Sequence, residues 1–290
     1  AMIKAPDVLL AYQPVGPKVK RLINLVKKYR GTCFSCLVDN EESATDISSA
    51  CSAEKMLIDV YIDLNVGMNR TGISPDKAID LANKIMSLYG LYLKGIHAYD
   101  GHIHDSDYSI RKKQADDSYQ KAHEVIISLE KTILHPLKLI IGGTPPFSIH
   151  AKRLDCECSP GTFVFWDWDY KKMISELPFE YAALVLTRVI SVIDANYICI
   201  DLGYKAIAAE SSFPRLQFLN VPKALQVSHS EEHLVIKVPD SKIYPVGSVL
   251  YGVPLHICPT VALYETAQVI LNKEYVTDWN IIARKRRIDQ

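Results

Sequence analysis

Short apolar runs alternate with helical spacing through the first 178 residues. DVLLA at 7–11 precedes a helical pattern from about Pro17 to Tyr29. CFSCLVD at 33–39 precedes a helix opening at Asn40, a good capping residue, with Glu41 and Glu42 in the first turn, where the helix dipole favours negative charge. LIDVYIDLN at 57–65 leads to a helix opening at Ser74-Pro75, cap and proline in the expected order. LKGIHAY at 93–99, a helix at about 108–131, LKLIIGG at 137–143 and TFVFWD at 162–167 bring the strand count to six. Strands alternating with helices specify a parallel sheet with right-handed crossovers. A closed (β/α)8 barrel takes two strands more, and an open doubly wound sheet fits six equally well, so periodicity leaves the topology open.

Beyond Pro178 the helical period fades. LVLTRVISVIDANYICIDLG at 184–203, HLVIKV at 233–238, GSVLYGVPLHIC at 247–258 and TAQVILNKEYVTDWNIIA at 266–283 are β-rich and separated by turns. A first domain over 1–178 and a mainly antiparallel β domain over 179–290 are expected.

Composition adds exclusions. Lys plus Arg equals Asp plus Glu at 33 each, so nothing marks a nucleic acid or an acidic surface as partner. The basic run ARKRR at 283–287 reads as a solvated tail, no apolar stretch is long enough to span a membrane, and the first residues lack a signal-peptide pattern. Seven cysteines, an odd number without framework spacing, fit a reduced, cytoplasmic protein. Cys33 and Cys36 form a CxxC within a strand-like run, where positions three apart face opposite ways, and read as packing. Cys156 and Cys158 share strand spacing without a further donor pair close by in sequence.

Chemistry in a parallel α/β unit gathers at the C-terminal strand ends. One such end, LNVGMNRTG, carries Arg70; another, GIHAYDGHIHD, carries His97, Tyr99, His102 and His104. GGTPPF at 142–147 offers two glycines that let the backbone approach an anion, with Thr144 adding a hydroxyl. Neither GxGxxG nor GxxxxGK[ST] occurs, which points away from dinucleotides and nucleoside triphosphates and towards a small phosphorylated cofactor. In PLHICPT at 254–260, strand spacing would put His256 and Cys258 on one face, as two metal ligands or as a half-buried pair. His102 and His104 have the same spacing and compete for a metal.

The segments LNVGMNRTGI, KGIHAYDGH, LIIGGTPPF, SPGTFVFWDWDY, IDLGYKAIAAE, VLYGVPLHICPTVALYE and WNIIARKRR occur in the order seen in D-threonine aldolases and D-serine dehydratases. The chain resembles these fold-type III pyridoxal-phosphate (PLP) enzymes, whose barrel is similar to that of alanine racemase, along essentially all its length. The resemblance implies a PLP-binding (β/α)8 barrel followed by a β domain. It places Gly142, Gly143 and Thr144 at the cofactor phosphate, and Arg70, His97 and Tyr99 around its ring, with Tyr99 the catalytic candidate. His256 and Cys258 fall on the family's metal pair, implying Zn2+, with Mn2+ or Mg2+ as alternatives. The His-x-Cys form resembles zinc-dependent dehydratases, whereas aldolases usually show His-x-Asp.

Elimination of a D-β-hydroxy amino acid to keto acid and ammonia is therefore the implied reaction. Retro-aldol cleavage, racemisation and PLP binding without turnover are the alternatives, and a cytoplasmic homodimer is the implied assembly. The family's Schiff-base lysine is expected upstream of the segment matching DVLLAYQPVGP, with the first barrel strands. Neither Lys4 nor Lys205 matches it.

Overall fold

A computed structural model describes residues 3–285, so the basic run at 283–287 extends beyond the described residues. The chain divides into two compact units between Gly161 and Thr162.

In the first unit, strands β1 (Asp7–Leu10), β2 (Cys33–Val38), β3 (Ile58–Asp63), β4 (Leu91–Ala98), β5 (Lys138–Ile141) and β6 (Glu157–Cys158) form one sheet in sequential order. Every pairing is parallel. A doubly wound sheet reverses its strand order at a switch point; this one never reverses, and winds as a (β/α) barrel does. Helices α1 (Pro17–Lys28), α2 (Glu41–Glu54), α3 (Ala78–Ser87), α4 (Tyr108–Leu129) and the single turn α5 (Phe147–His150) make the crossovers. Asn40 caps α2, its side chain accepting from the Ser43 N–H at 2.8 Å.

Strand alternation sorts the residues of this sheet. Cys36 and Val38, Val60 and Ile62, and Leu139 and Ile141 join the core with Leu22, Ile47, Leu81 and Leu129 of the four long helices. Leu37, Tyr61 and Ile140, one position out of phase, form a separate apolar cluster with Leu9. On that second face an ionic group lies towards the N-terminal strand ends, where Lys94 pairs with Asp7 at 3.1 Å and Asp59 at 3.0 Å. Asp63 and His97 occupy the opposite, C-terminal ends. Polar, apolar and polar layers follow one another along this face, as in a barrel interior.

In the second unit, β7 (Val185–Val192), β8 (Tyr197–Ile200), β9 (Leu216–Phe218), β10 (Leu225–His229), β11 (Leu234–Lys237) and β12 (Val249–Pro254) form an antiparallel sheet in the order β10-β11-β8-β7-β12-β9. Its core gathers Val189, Ile198, Ile200, Leu216, Leu234, Ile236 and Leu250. The short helices α6 (Trp168–Met173) and α7 (Ile257–Val261) and the hairpin of β13 (Thr266–Leu271) with β14 (Glu274–Asn280) complete it. No helix among the described residues is long and apolar enough to cross a membrane.

Two expectations are corrected. The boundary falls after residue 161, not 178, and 162–167 is not a strand. Thr162–Val164 is a 3₁₀ turn, and Trp166 follows with a left-handed φ of 54°. The Trp166 side chain is fully buried among Phe163, Tyr170, Ile174, Leu177 and Phe179. Asp167 next to it accepts from the Tyr170 N–H at 3.0 Å and the Ile257 N–H at 3.1 Å. These contacts bind the segment into the second unit; the sixth strand is Glu157–Cys158 instead.

Candidate cofactor and metal sites

The first unit brings Arg70, Tyr99 and the Gly142–Thr144 turn together. The Arg70 guanidinium lies 4.9 Å from the centroid of the Tyr99 ring, a cation–π contact. A Cβ on Gly143 would approach that ring to 3.2 Å, and one on Gly142 would meet the His150 ring at 3.0 Å. Both are tight approaches, and Gly142 also has φ +101°, a backbone conformation that favours glycine.

Its donors are fewer than the sequence suggested. The Gly142 N–H goes to Ala98 O at 3.3 Å, and the Gly143 N–H to Asp100 Oδ1 at 2.9 Å. Pro145 and Pro146 have no N–H. Thr144 is 4% exposed, and among the described residues no partner takes its N–H or its hydroxyl. An anion at this turn would take these two donors.

His97, 6% exposed, is held through Nδ1 by Asp63 Oδ1 at 2.8 Å, and Asp63 Oδ2 accepts from the Thr71 hydroxyl at 2.8 Å. The ring orientation is thus set by a carboxylate on the neighbouring strand. A glycine-walled turn with two open donors, a phenol under a guanidinium and an oriented imidazole fit a phosphorylated aromatic cofactor such as PLP.

His102 and His104 do not assemble a metal site. His104 Nδ1 turns to the carbonyl oxygen of His102 at 2.6 Å, and the His102 ring seats over Gly67 with its Nδ1 buried and without a partner. Burial holds the His102 pKa below the usual imidazole range.

The second unit brings His256 and Cys258 together, though not on a strand. β12 ends at Pro254, His256 is the N-cap of α7, and Cys258 lies in its first turn. Asp167 anchors that turn through the Ile257 N–H, as given above. Glu210 Oε1 lies 2.7 Å from His256 Nδ1, the imidazole also hydrogen-bonds with the Cys258 thiol, and that thiol lies 3.2 Å from the Thr162 hydroxyl. The hydrogen bond with Cys258, and then that with Glu210, raises the His256 pKa to about 9. The same bond with His256 lowers the Cys258 thiol, against the opposing effect of burial.

A thiolate and an imidazole whose far nitrogen is held by a carboxylate form a zinc-type donor set with its supporting partner. No group of three or more His, Cys, Asp or Glu side chains placed to hold a metal occurs among the described residues. A metal here would have two donors from these residues, the rest of its coordination being open to solvent or substrate. Asp63, Asp100, His150, Asp167 and Glu210 were not singled out from sequence.

The alanine racemase N-terminal domain family matches residues 19–167, just over half the chain, and a serine dehydratase-type domain family matches 182–270. The chain is 28% identical to a D-threonine aldolase of Arthrobacter sp., over 96% of this chain and 74% of that protein. It is 27% identical to a 3-hydroxy-D-aspartate aldolase of Paracoccus denitrificans, over 96% and 73%. The crystal structure of D-threonine aldolase from Filomicrobium marinum superimposes with a TM-score of 0.85 at 25% identity, over 96% of this chain and 76% of that one. The chain belongs to the alanine racemase-like, fold-type III family of PLP enzymes.

Proposed function

We propose that the protein is a PLP- and zinc-dependent lyase acting on D-β-hydroxy amino acids, and that its reaction is elimination to a keto acid and ammonia. The observation that carries this reading is the Cys258–His256–Glu210 set, which has no use in cofactor storage or in racemisation. PLP, when bound, supplies an electron sink for the substrate α-carbon, and zinc, when bound, supplies a Lewis acid towards the β-hydroxyl.

The protein's own residues do the rest. Thr144 binds the cofactor phosphate, and the Gly142–Gly143 backbone lets it come close. Tyr99, under Arg70, borders the ring position, and Asp63 fixes which nitrogen of His97 is presented there. Glu210 keeps the proton of His256 on Nδ1, so that Nε2 and the Cys258 thiolate are both available as donors. The thiolate favours a soft, tightly held zinc over manganese or magnesium, and by resemblance it is the dehydratase form of the pair.

Retro-aldol cleavage is the second reading, favoured because the two relatives named above are both aldolases. Chelation tests the shared part of both. Full-length holoenzyme stripped of metal should lose turnover of D-serine and D-threonine and regain it with zinc, whereas undiminished turnover after stripping would overturn the metal assignment.

A further inference from the structure

We propose that Asp100 is the positioning residue of the phosphate-binding turn: its carboxylate, braced by His150, holds Gly143 so that Thr144 faces the anion. The inference rests on the reading of Gly142–Thr144 as the phosphate site and identifies what gives that site its shape.

Asp100 and His150 are both fully buried, with side chains 0% exposed. Asp100 uses each oxygen once: Oδ1 accepts the Gly143 N–H at 2.9 Å and Oδ2 accepts from His150 Nε2 at 2.8 Å. The direction of the second bond follows from the far side of the ring, where Arg153 Nε donates to His150 Nδ1 at 3.4 Å. With Nδ1 accepting, the ring proton sits on Nε2 and points at Asp100. His150 also forms the wall that a Cβ at Gly142 would strike. The pair therefore grips the turn at two successive residues, one by a hydrogen bond and one by contact.

The grip matters because the turn has so little else to bind with. Its N–H at 142 is spent on Ala98 and that at 143 on Asp100, so within this turn the donors left for a phosphate are those of Thr144. An ordinary stabilising pair would be indifferent to whether the ligand carries a phosphate. A positioning pair would not be.

An amide at position 100 cannot satisfy both donors, since its NH2 must face either the Gly143 N–H or His150 Nε2–H. The test uses full-length apoprotein titrated with PLP and with pyridoxal, which lacks the phosphate, and follows absorbance and tryptophan fluorescence. Asp100→Asn should weaken PLP binding by about tenfold or more, the effect of losing a charge-assisted hydrogen bond, and leave pyridoxal binding unchanged. Equal loss for both ligands, or none for PLP, overturns the proposal.

Thr144→Val separates this from failure of the underlying reading. Undiminished PLP affinity in that variant means that the turn is not the phosphate site at all. Should Asp100→Asn not fold, His150→Gln and His150→Leu ask the same question. The first retains a donor to Asp100 and should keep the preference for PLP over pyridoxal, the second should lose it, and identical preferences in the two would contradict the proposal.

Discussion

Glu210 and His256 stand 46 residues apart in sequence, yet their side chains meet at 2.7 Å, carboxylate to Nδ1. The contact fixes which imidazole nitrogen is left for a metal. Cys258→Ala should therefore lose most of the bound zinc, measured by elemental analysis after dialysis. Glu210→Gln should weaken it by roughly 10–100-fold, the usual cost of removing a ligand's hydrogen-bond partner. Paired His102→Ala and His104→Ala changes should leave zinc content intact; loss there, with retention in Cys258→Ala, would transfer the site to the histidine-rich loop.

Gly142→Ala places a Cβ in a left-handed backbone position and 3.0 Å from the His150 ring. Denaturant unfolding should show a loss of roughly 1–3 kcal/mol, the scale of such strain, and the purified protein should hold less PLP. Gly161→Ala, whose Cβ would meet nothing within 4 Å, is the control and should be near neutral.

Stability should fall in alkali. Burial first, and then the neighbouring Cys51, raises the fully buried Cys36 thiol to about 12. The unfolded chain loses this proton near the ordinary thiol value while the folded chain keeps it, so the contribution is intact below about 9 and drains away as pH rises towards 12. Thermal melts from pH 8 to 11 should show a declining midpoint, with a shallower decline in Cys36→Ala. Parallel curves would show that this thiol is not a source of the slope.

Asn40→Ala should cost about 1 kcal/mol by removing the cap of α2. Urea unfolding of the two proteins measures it, and Asn40→Ser should recover most of the loss. An unchanged midpoint in Asn40→Ala would show that the 2.8 Å bond to Ser43 contributes nothing to stability.

Much of the layout could be read from local patterning. Apolar runs alternating with helical spacing already announced the parallel unit, and Asn40 announced its helix. TFVFWD misled because its apolar, aromatic run resembles a strand, while the buried Trp166 and the double capping by Asp167 impose a turn. His256 and Cys258 do come together, but the N-terminus of a short helix, and not strand alternation, brings them there. Asp63 and Asp100 had a faint signal as carboxylates at strand ends. Glu210 and His150 had none, because their partners are set by chain crossings that local periodicity does not encode.

The most direct measurement is product analysis with full-length holoenzyme and D-threonine, using L-threonine as control. The account predicts 2-oxobutanoate and ammonia from the D-enantiomer only, with D-serine giving pyruvate and ammonia. Glycine and acetaldehyde as main products would keep the lyase and replace elimination by retro-aldol cleavage. No carbon–oxygen or carbon–carbon cleavage of either D-amino acid, with PLP and zinc both bound, would contradict the account.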